Sequence, residues 1–170
     1  MTALVAYGSK RGGTRGIAET IGEVFKERGL TADVRDVRDV SSLSGYDAVI
    51  VGGALYAMRW HRSARRFVKR NARSLGEMPV WLFSSGPLDA SATEREIAPV
   101  RQVQSLMERV AAEGHATFGG RLEADATGFP ASAMAKKHAG DWRDQAQVRR
   151  WANGVANRLT PSRAGVGGGG

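Results

Sequence analysis

Residues 7–14 read Tyr7-Gly8-Ser9-Lys10-Arg11-Gly12-Gly13-Thr14, and the fold turns on what surrounds them. Before them runs a short apolar stretch, Ala3-Leu4-Val5-Ala6. After them Ile17, Ile21, Val24 and Phe25 recur at helical spacing as far as Gly29, a suitable C-terminal stop. A strand, a tight small-residue turn and a helix are therefore expected in that order. Such a turn gathers backbone N–H groups, the hydroxyls of Ser9 and Thr14 and the positive end of a helix dipole, which together suit a phosphate. The competing reading is a glycine turn capped by Thr14 with no ligand. Thr14 stands where G-x-x-x-x-G-K-[ST] needs its lysine, which argues against nucleotide hydrolysis, and no G-x-G-x-x-G dinucleotide fingerprint is present.

Outward from this unit the pattern repeats. "ADVRDV" at 32–37, "YDAVIVGG" at 46–53, "PVWLFSS" at 79–85 and "HATFGGRL" at 115–122 read as strands. Helical stripes lie over about 60–75, over 97–114, and through Val148, Trp151, Ala152, Val155 and Leu159. Strict alternation predicts an α/β fold: a doubly wound, five-stranded parallel sheet with helices on both faces. Residues 1–160 form one domain in this reading, 123–143 an irregular excursion, and the glycine-rich 161–170 a disordered tail. A chain of 170 residues, 42% hydrophobic and 25% charged, can bury one core.

The absence of cysteine removes disulfides and thiolate chemistry, so redox work needs a cofactor. No apolar run is long enough to cross a bilayer and no signal peptide is visible, so a cytoplasmic location is expected. The net charge of +8 favours anionic partners, among them phosphorylated cofactors, carboxylated substrates, an acidic redox protein or the inner membrane surface. Nucleic acid is not expected, since no binding motif accompanies the charge. His61, His115 and His138 lack ligand spacing, which points away from metal, and no G-x-S-x-G occurs. A phosphoacceptor receiver of the same fold lacks its acidic cluster here.

In a doubly wound sheet the ligand sits beyond the carboxyl ends of the strands, where strand order reverses. Three loops are then candidates. "GGALYAMRWH" at 52–61 is expected to expose Leu55, Tyr56, Met58 and Trp60, as a planar aromatic ligand would require, although Trp60 also suits the core stripe of the next helix. "SSGPLDA" at 84–90 offers hydroxyls, a glycine and an aspartate for the polar edge of a ring, or only a turn. Arg62, Arg65, Arg66, Lys69, Arg70 and Arg73 form a basic ridge opposite the apolar stripe, read either as a docking face or as a solvated one.

On "GSKRGGTRGIA" and "VGGALYAMRWHRSARRFVKRNARSLGEMP" the chain resembles the flavodoxin-domain family, in particular its menaquinone-dependent protoporphyrinogen oxidase group, over about the first 120 residues. The resemblance implies FMN, with its phosphate on Ser9, Lys10, Arg11, Gly12, Gly13 and Thr14. It places the isoalloxazine against Ala54, Leu55, Tyr56, Ala57 and Met58, and Ser84, Ser85, Gly86 and Asp89 on its other side. It further implies an FMN-dependent oxidoreductase with a quinone or porphyrinogen partner, or a non-enzymatic electron carrier. Electron-carrier flavodoxins are acidic as a rule, so the basic charge leans toward an enzyme. The segment "RLEADATGFPASAMAKKHAGDWRD" departs from the longer, more basic insertion of the oxidase-like relatives and carries Glu123 and Asp125.

Overall fold

The computed structural model describes residues 1–10, 12–86, 97–119, 121–122, 140–141 and 144–160. Strands β1 (Thr2–Gly8), β2 (Thr31–Asp36), β3 (Ala48–Tyr56), β5 (Val80–Ser85) and β6 (Gly114–Phe118) form a parallel sheet in the order β2-β1-β3-β5-β6. A short β4 (Arg59–Trp60) folds back antiparallel on β3, and two-residue strands β7 (Arg121–Leu122) and β8 (Gly140–Asp141) pair with each other. The helices are α1 (Gly13–Glu27), α2 (Arg62–Arg70), α3 (Ala72–Leu75), α4 (Arg101–Val110) and α5 (Gln145–Leu159). The expected α/β architecture is thus present. The excursion expected at 123–143 falls almost entirely outside the described residues, and the tail at 161–170 wholly so.

Alternation along each strand builds two cores, one on each face. Ala3 and Val5 of β1, Ile50 of β3 and Trp81 and Phe83 of β5 meet Ile17, Ile21, Phe25 of α1 and Val148, Ala152, Leu159 of α5. Their neighbours Leu4, Ala6, Val49, Val51 and Leu82 meet Ala64, Phe67, Leu75, Val103 and Leu106 on the other face. Strands buried on both faces carry apolar residues at consecutive positions, as this sheet does.

Two boundaries differ from the sequence reading. The helix expected over 60–75 begins at Arg62 and is interrupted at Asn71, whose side chain donates to the Phe67 carbonyl. Strand β3 does not stop at Gly53 but runs on to Tyr56, so the segment expected to be a loop is a strand extension and a hairpin. Backbone pairing of Leu55 with Trp60 and Tyr56 with Arg59 explains the difference, because those polar groups are satisfied within the hairpin.

Candidate functional site

Strand order reverses between β1 and β3, and there the carboxyl ends lie side by side: Gly8 pairs with Gly53, and Ala54 with Ser85. Two segments flank this crevice.

The first is the turn after β1. Gly12, at φ +77, is the N-cap of α1, in a left-handed conformation that L side chains seldom adopt. Gly12 makes no side-chain cap bond and the first turn carries no acidic residue, so the positive end of the helix dipole can face an anion. Thr14 is not a cap. It is fully buried, with its hydroxyl 2.8 Å from that of Ser85. Ser9 is half-buried and Lys10 exposed. Arg11 and Asp89 lie outside the described residues.

The second segment is the hairpin. Its turn residues Ala57 and Met58 both have positive φ, 48° and 65°, the pairing required by a type I′ turn, which Asn-Gly usually supplies. An alanine and a methionine are strained there, by on the order of 1 kcal/mol each. Met58 is 71% exposed and Tyr56 39%. The Tyr56 hydroxyl accepts from the Lys10 N–H at 3.3 Å, tying hairpin to turn, and the tyrosine ring meets His61 edge-on at 6.0 Å. Burial holds the His61 imidazole below its ordinary basicity, with the nearby Arg38 guanidinium adding to the effect. Ala54 is buried and Leu55 half-buried against the second core.

Trp60, read either as a ligand-facing ring or as part of the next helix's core stripe, is 1% exposed and belongs to the core. A Cβ at Gly53 would sit 2.6 Å from its ring, so only glycine lets the indole lie on β3. The indole N–H donates to the Ser84 hydroxyl at 2.9 Å, and that hydroxyl is 3.0 Å from His115 Nε2. The Trp60 backbone N–H donates to Gln102 Oε1 at 2.9 Å. Burial pushes the His115 pKa down to about 4, leaving a neutral imidazole. Alternation along β5 therefore separates the two serines, with Ser85 bonded to Thr14 and Ser84 bonded to Trp60 and His115 on the opposite face. Gly86, at φ +136, passes its N–H to the Phe118 carbonyl. His115 and Gln102 were not singled out from the sequence for the site. Their only signal was a polar residue in an otherwise apolar strand and one beside an apolar stripe.

From Arg59 to Arg73 the chain carries seven of its 25 basic side chains and no acid, while the remaining 18 nearly balance its 17 acidic ones. Arg62, Arg66, Lys69, Arg70 and Arg73 are exposed, and among the described residues no carboxylate pairs with them. Arg65 is half-buried and its Nε has no hydrogen-bond partner among the described residues. Among the described residues no helix is long and apolar enough to cross a membrane.

Residues 4–139 match the flavodoxin domain family. A stretch of 86 residues is 31% identical to protoporphyrinogen IX dehydrogenase [quinone] of Escherichia coli K12, covering 49% of this chain and 48% of that protein. The chain thus spans about half the length of the curated relatives it matches. Among solved structures it is similar to a flavodoxin from the domain Archaea, with TM-score 0.65 and 17% identity over 94% of this chain and 99% of that one. It is also similar to oxidised Flavodoxin 1 from Bacillus cereus, with TM-score 0.64 and 16% identity over 94% of this chain and all of that one. A flavodoxin domain implies a flavin, and the chain is a flavodoxin-like redox protein that belongs to the flavodoxin domain family.

Proposed function

We propose that the protein binds FMN noncovalently and works as an oxidoreductase through it. The observation that carries the reading is the crevice between β1 and β3: a helix start with no acidic residue in its first turn on one side, the exposed Tyr56 and Met58 on the other, joined by the Lys10–Tyr56 bond. The residues fit such a group. The phosphate falls to Ser9, Lys10, Arg11, Gly12, Gly13 and Thr14, where backbone and hydroxyl donors meet positive charge without an acidic residue. Ala54, Leu55, Tyr56, Ala57 and Met58 take the ring, with Ser85, Gly86 and Asp89 toward its polar edge and Ser84 behind the hairpin. Bound FMN supplies the electron or hydride transfer. The chain's own part is to orient the ring, exclude water from its buried side and leave one edge open.

The half-length similarity to a quinone-linked protoporphyrinogen dehydrogenase supports an enzyme with a porphyrinogen-type reductant and quinone acceptor. The second reading, a non-enzymatic carrier, is favoured by whole-length agreement with flavodoxins. In either case the basic ridge draws an anionic partner toward the α2 end of the crevice.

Purified protein reconstituted with FMN tests the reading. Flavin absorbance retained after gel filtration is expected, and its absence overturns FMN binding. Arg62, Arg65 and Arg66 changed together to Glu should leave FMN bound but slow flavin reoxidation. Added salt should mimic the change, since exposed charges are screened beyond about 8 Å at physiological ionic strength. Turnover of a porphyrinogen with a menaquinone analogue in anionic vesicles supports the enzyme. A rate with an acidic redox protein alone supports the carrier.

A further inference from the structure

The hairpin at the crevice is strained at Ala57 and Met58, yet its position is over-determined from behind. Leu55 pairs with Trp60 across the hairpin, and the His61 N–H donates to the Ala54 carbonyl at 2.8 Å. Trp60 is the anchor, with its ring on Gly53, its backbone N–H on Gln102 of α4 and its indole N–H on Ser84 of β5. The last link is His115 on edge strand β6, whose Nε2 meets the same Ser84 hydroxyl. Tyr56 and Met58, exposed at the crevice, take no part in these bonds.

Resting on the flavin reading above, we propose that His115 is a positioning residue: acting through Ser84 it fixes Trp60, and with Trp60 the strained hairpin that presents Tyr56 and Met58 to the flavin.

The proton inventory makes the chain directional. Indole nitrogen can only donate, so Ser84 Oγ must accept from Trp60. The serine proton then goes to His115 Nε2, provided the imidazole carries its own proton on Nδ1. A protonated His115 has hydrogen on both nitrogens and reverses that bond, leaving the serine proton without an acceptor in the chain. Burial keeps the ring neutral, and no described charged group contributes to its depressed basicity. Ser84 from β5, Trp60 from β4 and, through Trp60, Gln102 from α4 are neutral; His61 at the hairpin also titrates, but its ring bonds Ser63 and not Ser84, so acid reaches the Trp60 indole through His115.

The test compares wild type, His115→Phe, His115→Gln and Ser84→Ala, each with and without FMN. Exchange of the Trp60 indole N–H and of the Trp60 and His61 amides is followed by NMR, with the Val5 and Ile50 amides as the sheet reference. His115→Phe is expected to speed exchange at the three hairpin protons about tenfold while the reference amides hold. It should also raise the Kd for FMN several-fold and shift the flavin midpoint potential. His115→Gln, whose amide can still accept from Ser84, should stay within about twofold of wild type. Ser84→Ala should reproduce the Phe variant. Lowering the pH toward 4 should reproduce the loss of protection, taken relative to the reference amides, in wild type but not in His115→Gln. Hairpin protons that exchange at wild-type rates in both His115→Phe and Ser84→Ala overturn the proposal, as does acceleration that is equal throughout the sheet. If the hairpin responds as expected but wild type takes up no FMN, the flavin reading fails while the positioning role stands.

Discussion

At the turn after β1 the left-handed position is filled by Gly12, and the helix that follows needs no side-chain cap. At the hairpin after β3 the two left-handed positions are filled by Ala57 and Met58, and the strain is held by Ala54 and Trp60 of the hairpin's own strands together with Gln102 of α4 and Ser84 of β5. The turn is built from local chemistry and is at rest. The hairpin is built from distant contacts and is under load. The two segments therefore suit different parts of a ligand. A phosphate needs fixed donors and charge, which a short glycine-rich segment supplies by itself. A ring whose chemistry depends on its orientation needs a surface set by the core, and exposed residues such as Tyr56 and Met58 can provide that surface only if something buried holds them.

The largest effects are expected at the hairpin. Trp60→Ala removes a fully buried indole and leaves the Ser84 hydroxyl short of a partner. It should cost about 3–5 kcal/mol in urea unfolding and abolish ordered presentation of Tyr56. A loss below about 1 kcal/mol would mean the hairpin is not anchored there. Acid acts on the same network. The folded His115 titrates at about 4 against an ordinary value of 6.5, so the unfolded chain binds the proton first and stability is lost as pH falls from about 6.5 to about 4. The loss amounts to about 3 kcal/mol at most, and the corresponding slope should be absent from His115→Gln when unfolding is measured across that range.

The turn side is sharpened by Thr14→Val, which keeps shape and deletes the hydroxyl facing Ser85. FMN titration should show affinity weakened by about 1.5–3 kcal/mol if that hydroxyl also meets the phosphate. Unchanged affinity places the phosphate elsewhere. The smallest effect is expected at Met58→Gly, which relieves a left-handed methionine and, after the entropy gained by the unfolded chain, stabilises flavin-free protein by about 0.5 kcal/mol. The same variant should loosen FMN, since the exposed thioether is lost from the ring side. Tighter FMN would show that Met58 obstructs the ring.

Much of this architecture was legible in the one-dimensional pattern. The strand–turn–helix unit around Gly12 and Thr14 follows from nearest-neighbour chemistry, and the consecutive apolar residues of β1, β3 and β5 announced strands buried on both faces. The hairpin reads as a loop in one dimension because Ala57-Met58 carries none of the residues that mark a type I′ turn. Trp60 was ambiguous for a related reason, since an aromatic after a strand suits a ligand face and a core equally well.

By itself the sequence determined the fold class, the place of the turn and the basic stretch from Arg59 to Arg73, because each depends on spacing along one segment. Only the tertiary structure decided that Ser84 and Ser85, adjacent in the chain, serve opposite faces of the sheet, and that His115 closes a chain of hydrogen bonds to Trp60. Those contacts join residues 24 to 71 positions apart, and the side chain each hydroxyl meets is set by which strands and helices pack together, which no local pattern encodes.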